Sequence, residues 1–493
     1  MILALILLPA VAGAAAFFIR SHGLRRALLI LGALAHTTLT AVAWTMGTDS
    51  PAWGDWLMLD APGLLFLSIT SVLFLAASLY AVGYLAHEGL HRIEDPREEG
   101  AFFSNVPEAI FTGCLLLFLS TMTLVAVSQH FGLLWVAVEA TTLASAPLIY
   151  YHRHHHSLEA TWKYLLICSV GIALALLGNF FLAVAAVGKD GQHVPMVLRE
   201  LINQAPYLQA PWLKAAFLFF LVGYGTKMGL APLHTWLPDA HSEAPSVVSA
   251  LLSGALLNCA FLAILRIQQV CVMAGQGEFG RSLLLGFGLV SMAVAAVFIL
   301  GQADYKRMLA YSSVEHMGIL ALGVGIGGAA SSGAMLHAVN HSLTKAMLFF
   351  AAGNILAVYK TKSTTDVRGV LRALPITGVL WVAGFLAITG SPPFGPFLSE
   401  LKILKGALDQ GRSGVAVAYL GLLAIIFVGM ATVMLRMAQG RAPELLKPAP
   451  VRESLLSVVP PCVLGVAVLT LGLYIPPGLS QTITKVAQTL GGF

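Results

Sequence analysis

Apolar runs of 18 or more residues recur from one end of this chain to the other, and each is long enough to cross the hydrocarbon of a bilayer as a helix. Composition agrees. The chain is 58% hydrophobic and 10% charged, against about 25% charged for a soluble domain. At 493 residues a soluble chain would form about three domains, and this balance excludes them. It equally excludes a disordered chain, a disulfide-stapled secreted domain and a nucleic-acid binder. The net charge of +5 is small, and the basic residues sit mainly in loops between apolar runs. The expected fold is all-α and polytopic, with about fourteen transmembrane helices.

The five cysteines, Cys114, Cys168, Cys259, Cys271 and Cys462, form no CxxC pair. Iron–sulfur clusters and structural zinc sites need grouped thiolates, so no cofactor or redox centre is expected in this chain. The first run, Met1 to Ile19, lacks a basic n-region and a small-residue cleavage site followed by a mature domain, and reads as a first span rather than a signal peptide.

The runs lie near 1–19, 26–46, 63–86, 108–127, 131–151, 162–187, 212–230, 244–266, 282–301, 308–327, 333–358, 375–411, 414–435 and 455–475. Two are interrupted. The seventh runs into Ala231-Pro232 and then Trp236-Leu237-Pro238, and the twelfth contains Ser391-Pro392-Pro393-Phe394-Gly395-Pro396. Freed backbone groups survive at membrane depth only against protein or a wet cavity. Paired broken helices in two halves of a chain point to a transport pathway built on inverted repeats. No residue-level self-similarity accompanies them, so the repeat is inferred from the spacing of the breaks.

Orientation follows from lysine and arginine. With the N-terminus outside, the inside loops hold Arg20, Arg25, Arg26, Arg92, Arg97, Arg153, Lys306, Arg307, Lys360, Lys362, Arg368, Arg372, Arg436, Arg441, Lys447 and Arg452, and the outside segments hold about half as many. Both termini are therefore expected outside. Residues 188–211 form the longest outside connection, with a short interfacial helix within Pro195 to Asn203.

Several spans carry ionisable groups well away from their ends, at a cost of about 2.5–3.5 kcal/mol each. They are Glu139, Lys227 just before the first break, His337, His341 and Lys345 on one span, and Glu400 after the second break. The spacing i, i+4, i+8 advances about 40° per step on a helix, so His337, His341 and Lys345 line one narrow face. Glu139 and Lys227 read as a static ion pair or as a switch. The histidine row reads as a relay or as a metal site. The metal reading is set aside because no third ligand is evident and Lys345 would repel a cation. Glu400, close to Lys402 and Lys405, reads equally as a wet loop residue. The run His152-Arg153-His154-His155-His156 reads as a solvated basic loop, and the glycine-rich stretch 323–333 as a turn or close helix contact rather than a phosphate cradle.

These residue types suit proton movement. Burial and partner charge shift lysine and glutamate pKa values by up to several units, and histidine titrates near neutrality. A broken helix admits water and backbone dipoles to such groups.

At these residues the chain resembles the antiporter-like subunits of respiratory complex I and their Mrp antiporter relatives. The resemblance is carried by Lys227-Met228-Gly229-Leu230-Ala231-Pro232-Leu233-His234-Thr235-Trp236-Leu237-Pro238-Asp239-Ala240-His241-Ser242-Glu243-Ala244-Pro245. It is carried also by Asp304-Tyr305-Lys306-Arg307-Met308-Leu309-Ala310-Tyr311-Ser312-Ser313-Val314-Glu315-His316-Met317-Gly318, and by His337-Ala338-Val339-Asn340-His341-Ser342-Leu343-Thr344-Lys345-Ala346. Glu315-His316 and Ser157-Leu158-Glu159-Ala160-Thr161-Trp162-Lys163-Tyr164 are most similar to the hydrogenase-4 component F branch. The likeness is densest over about 130–410. The expected division is N-terminal helices over 1–127, an antiporter-like core over 128–411 and C-terminal helices over 412–493.

The resemblance implies that Glu139 and Lys227 form a first-half switching pair. It places His337, His341 and Lys345 in a central relay and Glu400 at the second-half terminus, with His234, Asn258, Glu315 and His316 as secondary members. One departure matters: Asn258 stands where many relatives carry a lysine or histidine, and it cannot carry a proton by itself. The link between the halves is then water-borne, or conduction is impaired. The expected function is proton conduction coupled to electron transfer in a hydrogenase-4-like or NADH:quinone-oxidoreductase-like complex. Its partners would be other membrane subunits and, through them, iron–sulfur, hydrogenase-like or quinone-reducing subunits, in a bacterial inner membrane. A Mrp-type cation/proton antiporter subunit is the first alternative and a non-conducting membrane anchor the second.

Overall fold

The structure, a computed structural model, describes residues 1–46, 53–87, 93–94, 102–103, 105–189, 191–440 and 453–491. Of the basic loop residues tallied for orientation, Arg92, Arg97, Arg441, Lys447 and Arg452 lie outside the described residues.

Helix dominates, as the continuous apolar runs dictate. Helices α1 (Ile2–Phe18), α2 (His22–Met46), α3 (Ala61–His87) and α4 (Glu108–Val127) are followed by α5 (Phe131–Ile149), α6 (His155–Ala185) and the short α7 (Leu198–Asn203). The seventh span is split into α8 (Ala210–Met228) and α9 (Trp236–Glu243). The eighth is α10 (Ser246–Leu251) and α11 (Leu257–Met273), joined by a π-helical turn at Leu252–Leu256. Then come α12 (Gly277–Ile299), α13 (Tyr305–Ile326), α14 (Ala329–Tyr359) and the short α15 (Val370–Ala373). The twelfth span is split into α16 (Pro375–Ile388) and α17 (Gly395–Asp409), before α18 (Ser413–Ala438), α19 (Leu455–Leu473) and the terminal α20 (Pro477–Thr489). Among the described residues, 11 helices are long and apolar enough to cross a membrane, and α1 and α16 are shorter apolar helices. Adding α8, which carries Lys214 and Lys227, accounts for every expected span.

Between the two broken spans lie α10–α11, α12, α13 and α14, so the breaks are an odd number of crossings apart. The two broken helices therefore traverse the bilayer in opposite senses, as inverted repeats require.

Each break settles the backbone groups it frees. At the first, Gly229 ends α8 in the left-handed region (φ 83°), and the Trp236 indole N–H donates to the Thr226 carbonyl at 2.8 Å. The Ala231 amide donates to Ser291 Oγ of α12 at 2.9 Å. At the second, the Ser391 amide reaches back to the Leu386 carbonyl at 2.9 Å. At the other end of α16, away from the break, Glu453 accepts from the Ile376 and Thr377 amides at 2.9 Å each and caps the helix.

A belt of charge binds the ends of the central helices. Asp239 of α9 meets Lys163 of α6 and Arg307 of α13, both at 2.9 Å. Glu243 meets Lys362 at 2.8 Å and His154 at 3.6 Å. The histidine run is more ordered than a solvated loop. His154 Nδ1 accepts from the Ser157 amide at 3.1 Å and caps α6, while His152 Nδ1 lies 3.0 Å from Asn105 Oδ1. Partial burial, with Lys306 nearby, holds the His152 ring below its ordinary pKa. The glycine-rich stretch is a turn at Gly327 and Gly328, both at positive φ, with Gly325 against the backbone of α12.

On the opposite side of the core, buried Arg266 of α11 donates to Asp60 Oδ1 at 3.3 Å and to the Ala126 carbonyl at 3.0 Å. It thereby ties α11 to the start of α3 and the end of α4. Removing Asp60 strands a buried guanidinium. Asp60→Ala should lower unfolding stability by about 3 kcal/mol, the low end for a broken buried pair, and adding Arg266→Met should recover most of it. Thermal unfolding of the detergent-solubilised variants measures both.

Candidate functional site

In the first half, α5, α6 and α8 bring their polar residues to one point. Lys227 is fully buried in the last turn of α8. Its Nζ donates to Thr142 Oγ1 at 2.8 Å and to the Tyr164 hydroxyl at 2.6 Å, and lies 4.5 Å from the centre of the Tyr164 ring. Thr142 Oγ1 in turn donates to Glu139 Oε2 at 3.2 Å, one helical turn away on α5. Glu139 Oε1 accepts from Ser169 Oγ at 3.1 Å, and Tyr164 shares a 2.6 Å hydrogen bond with Ser145. Glu139 and Lys227 are thus joined through a hydroxyl rather than as a direct ion pair. A hydroxyl both accepts from the amine and donates to the carboxylate, so Thr142 is the shared element.

In the middle of the molecule, Asn258 follows the π turn, a feature that often marks a functional position. Its Nδ2 donates to the Gly254 carbonyl and to Ser342 Oγ, both at 2.8 Å. Ser342 is the chain neighbour of His341, so Asn258 touches the helix that carries the histidine row. Ser253, in the π turn, shares a 2.8 Å hydrogen bond with Ser313 of α13.

In the second half, His337, His341 and Lys345 line one face of α14 and are fully buried. His337 Nδ1 lies 2.9 Å from Ser399 Oγ on α17, and its Nε2 lies 2.9 Å from His316 Nδ1 on α13. The His316 and His341 ring centres are 4.8 Å apart. The Lys345 Nζ donates to the Leu309 carbonyl at 2.6 Å. His316 Nε2 faces Glu315 Oε2 at 3.9 Å. Glu400 is buried on α17, at 7% exposure, and is not a wet loop residue. One ligand atom each from His316, His337 and Glu400 lie within 4.8 Å of one another. The histidine pair in this group is not the one the sequence offered: His316 takes the place of His341 beside His337.

His234 stands apart from this cluster, edge-on to Tyr311 with ring centres 6.1 Å apart. His241 is a buried residue that sequence reasoning left unassigned. It stacks on Phe349 at 5.4 Å, one turn beyond Lys345, and extends the α14 row. Thr142, Tyr164 and Ser399 were also missed. Hydroxyl residues are common in apolar helices, and nothing local distinguishes these three.

The second break is shaped to Glu400. Gly390 is in the left-handed region (φ 65°), and a Cβ there would collide with the Glu400 carboxylate.

Fold and site together define a multi-span membrane subunit in which two oppositely directed broken helices frame a buried row of ionisable side chains. The family described as NADH:quinone oxidoreductase/Mrp antiporter, transmembrane, matches residues 128–427, and the chain belongs to it. It is an integral membrane, antiporter-like subunit. A hydrogenase-4 component F homolog of Methylacidiphilum infernorum is 38% identical over 373 residues, covering 75% of this chain and 76% of the relative. NADH-quinone oxidoreductase subunit N of Desulforudis audaxviator is 31% identical over 404 residues, covering 80% and 76%. In fold, the chain is similar to one from the membrane-bound sulfane sulfur reductase, an archaeal respiratory membrane complex, with TM-score 0.86, 20% identity and coverage of 100% and 98%. A chain of the Mrp complex of Dietzia sp. superposes with TM-score 0.80 at 20% identity, covering 99% and 96%.

Gly390→Ala should destabilise the protein by about 1–2 kcal/mol from backbone strain alone and displace the Glu400 carboxylate. A lowered unfolding temperature, with Gly411→Ala (also at positive φ but in open space) as the strain-only control, measures the extra cost of the collision.

Proposed function

We propose that this subunit conducts protons through its buried row, coupled to electron transfer carried out by partner subunits of a hydrogenase-4-like or NADH:quinone-oxidoreductase-like complex. The observation that carries the reading is the Lys227 amine held between hydroxyls. The Thr142 and Tyr164 hydroxyls that accept from an ammonium can rotate to donate to a neutral amine. Both protonation states of Lys227 are therefore accommodated without moving the backbone, which a static lock does not need.

The proposed path enters the first half at Glu139, Thr142 and Lys227. It passes from α8 to α11, which pack together, and reaches α14 through Asn258 and Ser342. It continues along His341, His337 and His316 to Glu400, with Glu315, Lys345 and His234 beside it. Asn258 cannot hold a proton, so water completes the step there, oriented by the Asn258 carbonyl oxygen, which has no protein partner. The names of the hydrogenase-4 and quinone-oxidoreductase relatives support the coupling to electron transfer over a Mrp-type antiporter. A non-conducting anchor leaves the buried charges without a purpose. Iron–sulfur and hydrogenase-like or quinone-reducing partners, a bacterial inner membrane and both termini outside complete the proposal, the last from the lysine and arginine bias.

Proton uptake by inverted membrane vesicles holding the assembled complex tests this. Lys227→Ala and Lys227→Arg should each lower coupled uptake at least 10-fold with assembly intact, the arginine because a guanidinium keeps its proton. Thr142→Val should do the same and Thr142→Ser should not. Wild-type uptake by an assembled Lys227→Ala complex would remove the assignment, and an absolute sodium requirement would favour the antiporter.

Asn258→Leu should interrupt uptake by removing the polar contact to α14 without changing any charge, whereas Asn258→Lys should keep at least part of it. The reverse order in the same vesicles would make Asn258 a packing residue.

A further inference from the structure

The buried cluster on α13, α14 and α17 holds more donor and acceptor atoms than the protein satisfies. His316 Nε2, both ring nitrogens of His341, Glu315 Oε2, Glu400 Oε1 and Asn340 Oδ1 are buried without a hydrogen-bond partner. Among the described residues no lysine or arginine lies within salt-bridge distance of Glu315 or Glu400; Lys345, whose Nζ donates to the Leu309 carbonyl, acts on Glu315 only from further off. Two imidazoles and two carboxyl groups thus face one another without a direct ion pair.

We propose that His316, His337 and Glu400 form a binding site for a divalent transition-metal cation of the zinc type, with Glu315 and Ser399 as the groups that orient the two histidines. The donor set decides the class of ion. Two imidazole nitrogens and a carboxylate suit zinc, cobalt or nickel, whereas magnesium and calcium prefer oxygen alone. Three protein ligands leave a fourth tetrahedral position for water.

The hydrogen bonds decide which nitrogens bind. Ser399 Oγ donates to the Pro396 carbonyl at 2.8 Å, so it accepts from His337 Nδ1–H and leaves His337 Nε2 as a lone pair. His316 Nδ1 donates to that lone pair at 2.9 Å. The cation takes the place of this shared proton. His316 then carries its proton on Nε2, and the Glu315 carboxylate, 3.9 Å away, comes within hydrogen-bond reach by a side-chain rotation. A carboxylate behind one ligating histidine and a hydroxyl behind the other are the supports metal-bound imidazoles usually have. Ligand atoms of a tetrahedral site with bonds near 2.0 Å stand about 3.3 Å apart. The present separations of at most 4.8 Å close to that by torsion of the Glu400 side chain. Access is past the second break, where Pro392 and Pro393 are exposed and Gly390 lies against Glu400. Occupancy removes the proton shared by His316 and His337, and so stops proton transfer there; this consequence rests on the proton-conducting reading.

The test uses the purified full-length chain with zinc or cobalt salts, in a background where the surface histidines His155 and His156 are replaced by alanine. Equilibrium dialysis with metal analysis should give one zinc per chain, falling at least 10-fold with His316→Ala, His337→Ala or Glu400→Gln and holding with His234→Ala. Zinc-edge X-ray absorption on the wild-type residues needs no core variant. It should show two imidazole nitrogens and oxygen at about 2.0–2.2 Å. Absence of stoichiometric zinc, or sulfur at about 2.3 Å, overturns the site. Zinc that binds there but leaves vesicle proton uptake unchanged overturns the relay through these histidines instead, and the metal site stands.

Discussion

Hydrocarbon offers no hydrogen-bond partner, so every polar group this chain carries into the bilayer must find one in the protein. The apolar helices meet that demand by themselves. What gives the molecule its particular architecture is how the exceptions are met. The first break is closed by the Trp236 indole on the Thr226 carbonyl and by Ser291 on the Ala231 amide. At the second, the Ser391 amide turns back to the Leu386 carbonyl, and the far end of the same half-helix is capped by the Glu453 carboxylate. Arg266 is held by Asp60 and a backbone carbonyl. Trp236, Ser291 and the Ala126 carbonyl belong to other helices than the groups they meet, so these contacts also fix how the helices pack.

The two halves share a plan and differ in chemistry. Both set a broken helix against a long intact one, α8 on α6 and α17 on α14. In the first half the ionisable group is an amine surrounded by hydroxyls. In the second it is a set of imidazoles with two carboxyl groups. Hydroxyls adapt to either protonation state by rotation, and imidazoles adapt by exchanging tautomers. Both are ways of keeping a titratable group in hydrocarbon without trapping it in one state. The second half leaves more of its polar atoms unmet, which is why the cluster there suits a cation as well as a proton.

Between the halves stands Asn258. The π turn before it gives Ser253 to Ser313 on α13, while Asn258 gives its amide to Ser342 on α14. The junction is made of neutral groups. It joins the two halves by hydrogen bonds while placing no fixed charge between the amine and the histidines.

The spans, both breaks and the face shared by His337, His341 and Lys345 were legible in the sequence by itself. They depend on length, on proline and glycine, and on the turn of a helix, all properties of neighbours in the chain. The oppositely directed breaks followed too, because they need only a count of crossings. The sequence also named Glu139, Lys227 and Glu400 as unusual, since charge in hydrocarbon stands out in any window. It could not show that Thr142 stands between Glu139 and Lys227, that Tyr164 lies under the amine, or that Glu400 closes a triad with His316 and His337. The Lys227–Thr142 contact spans 85 positions and the His337–Ser399 contact 62. Contacts of that separation are decided by which helices pack and at what height, and a hydroxyl in an apolar helix carries no local mark of the partner it will meet.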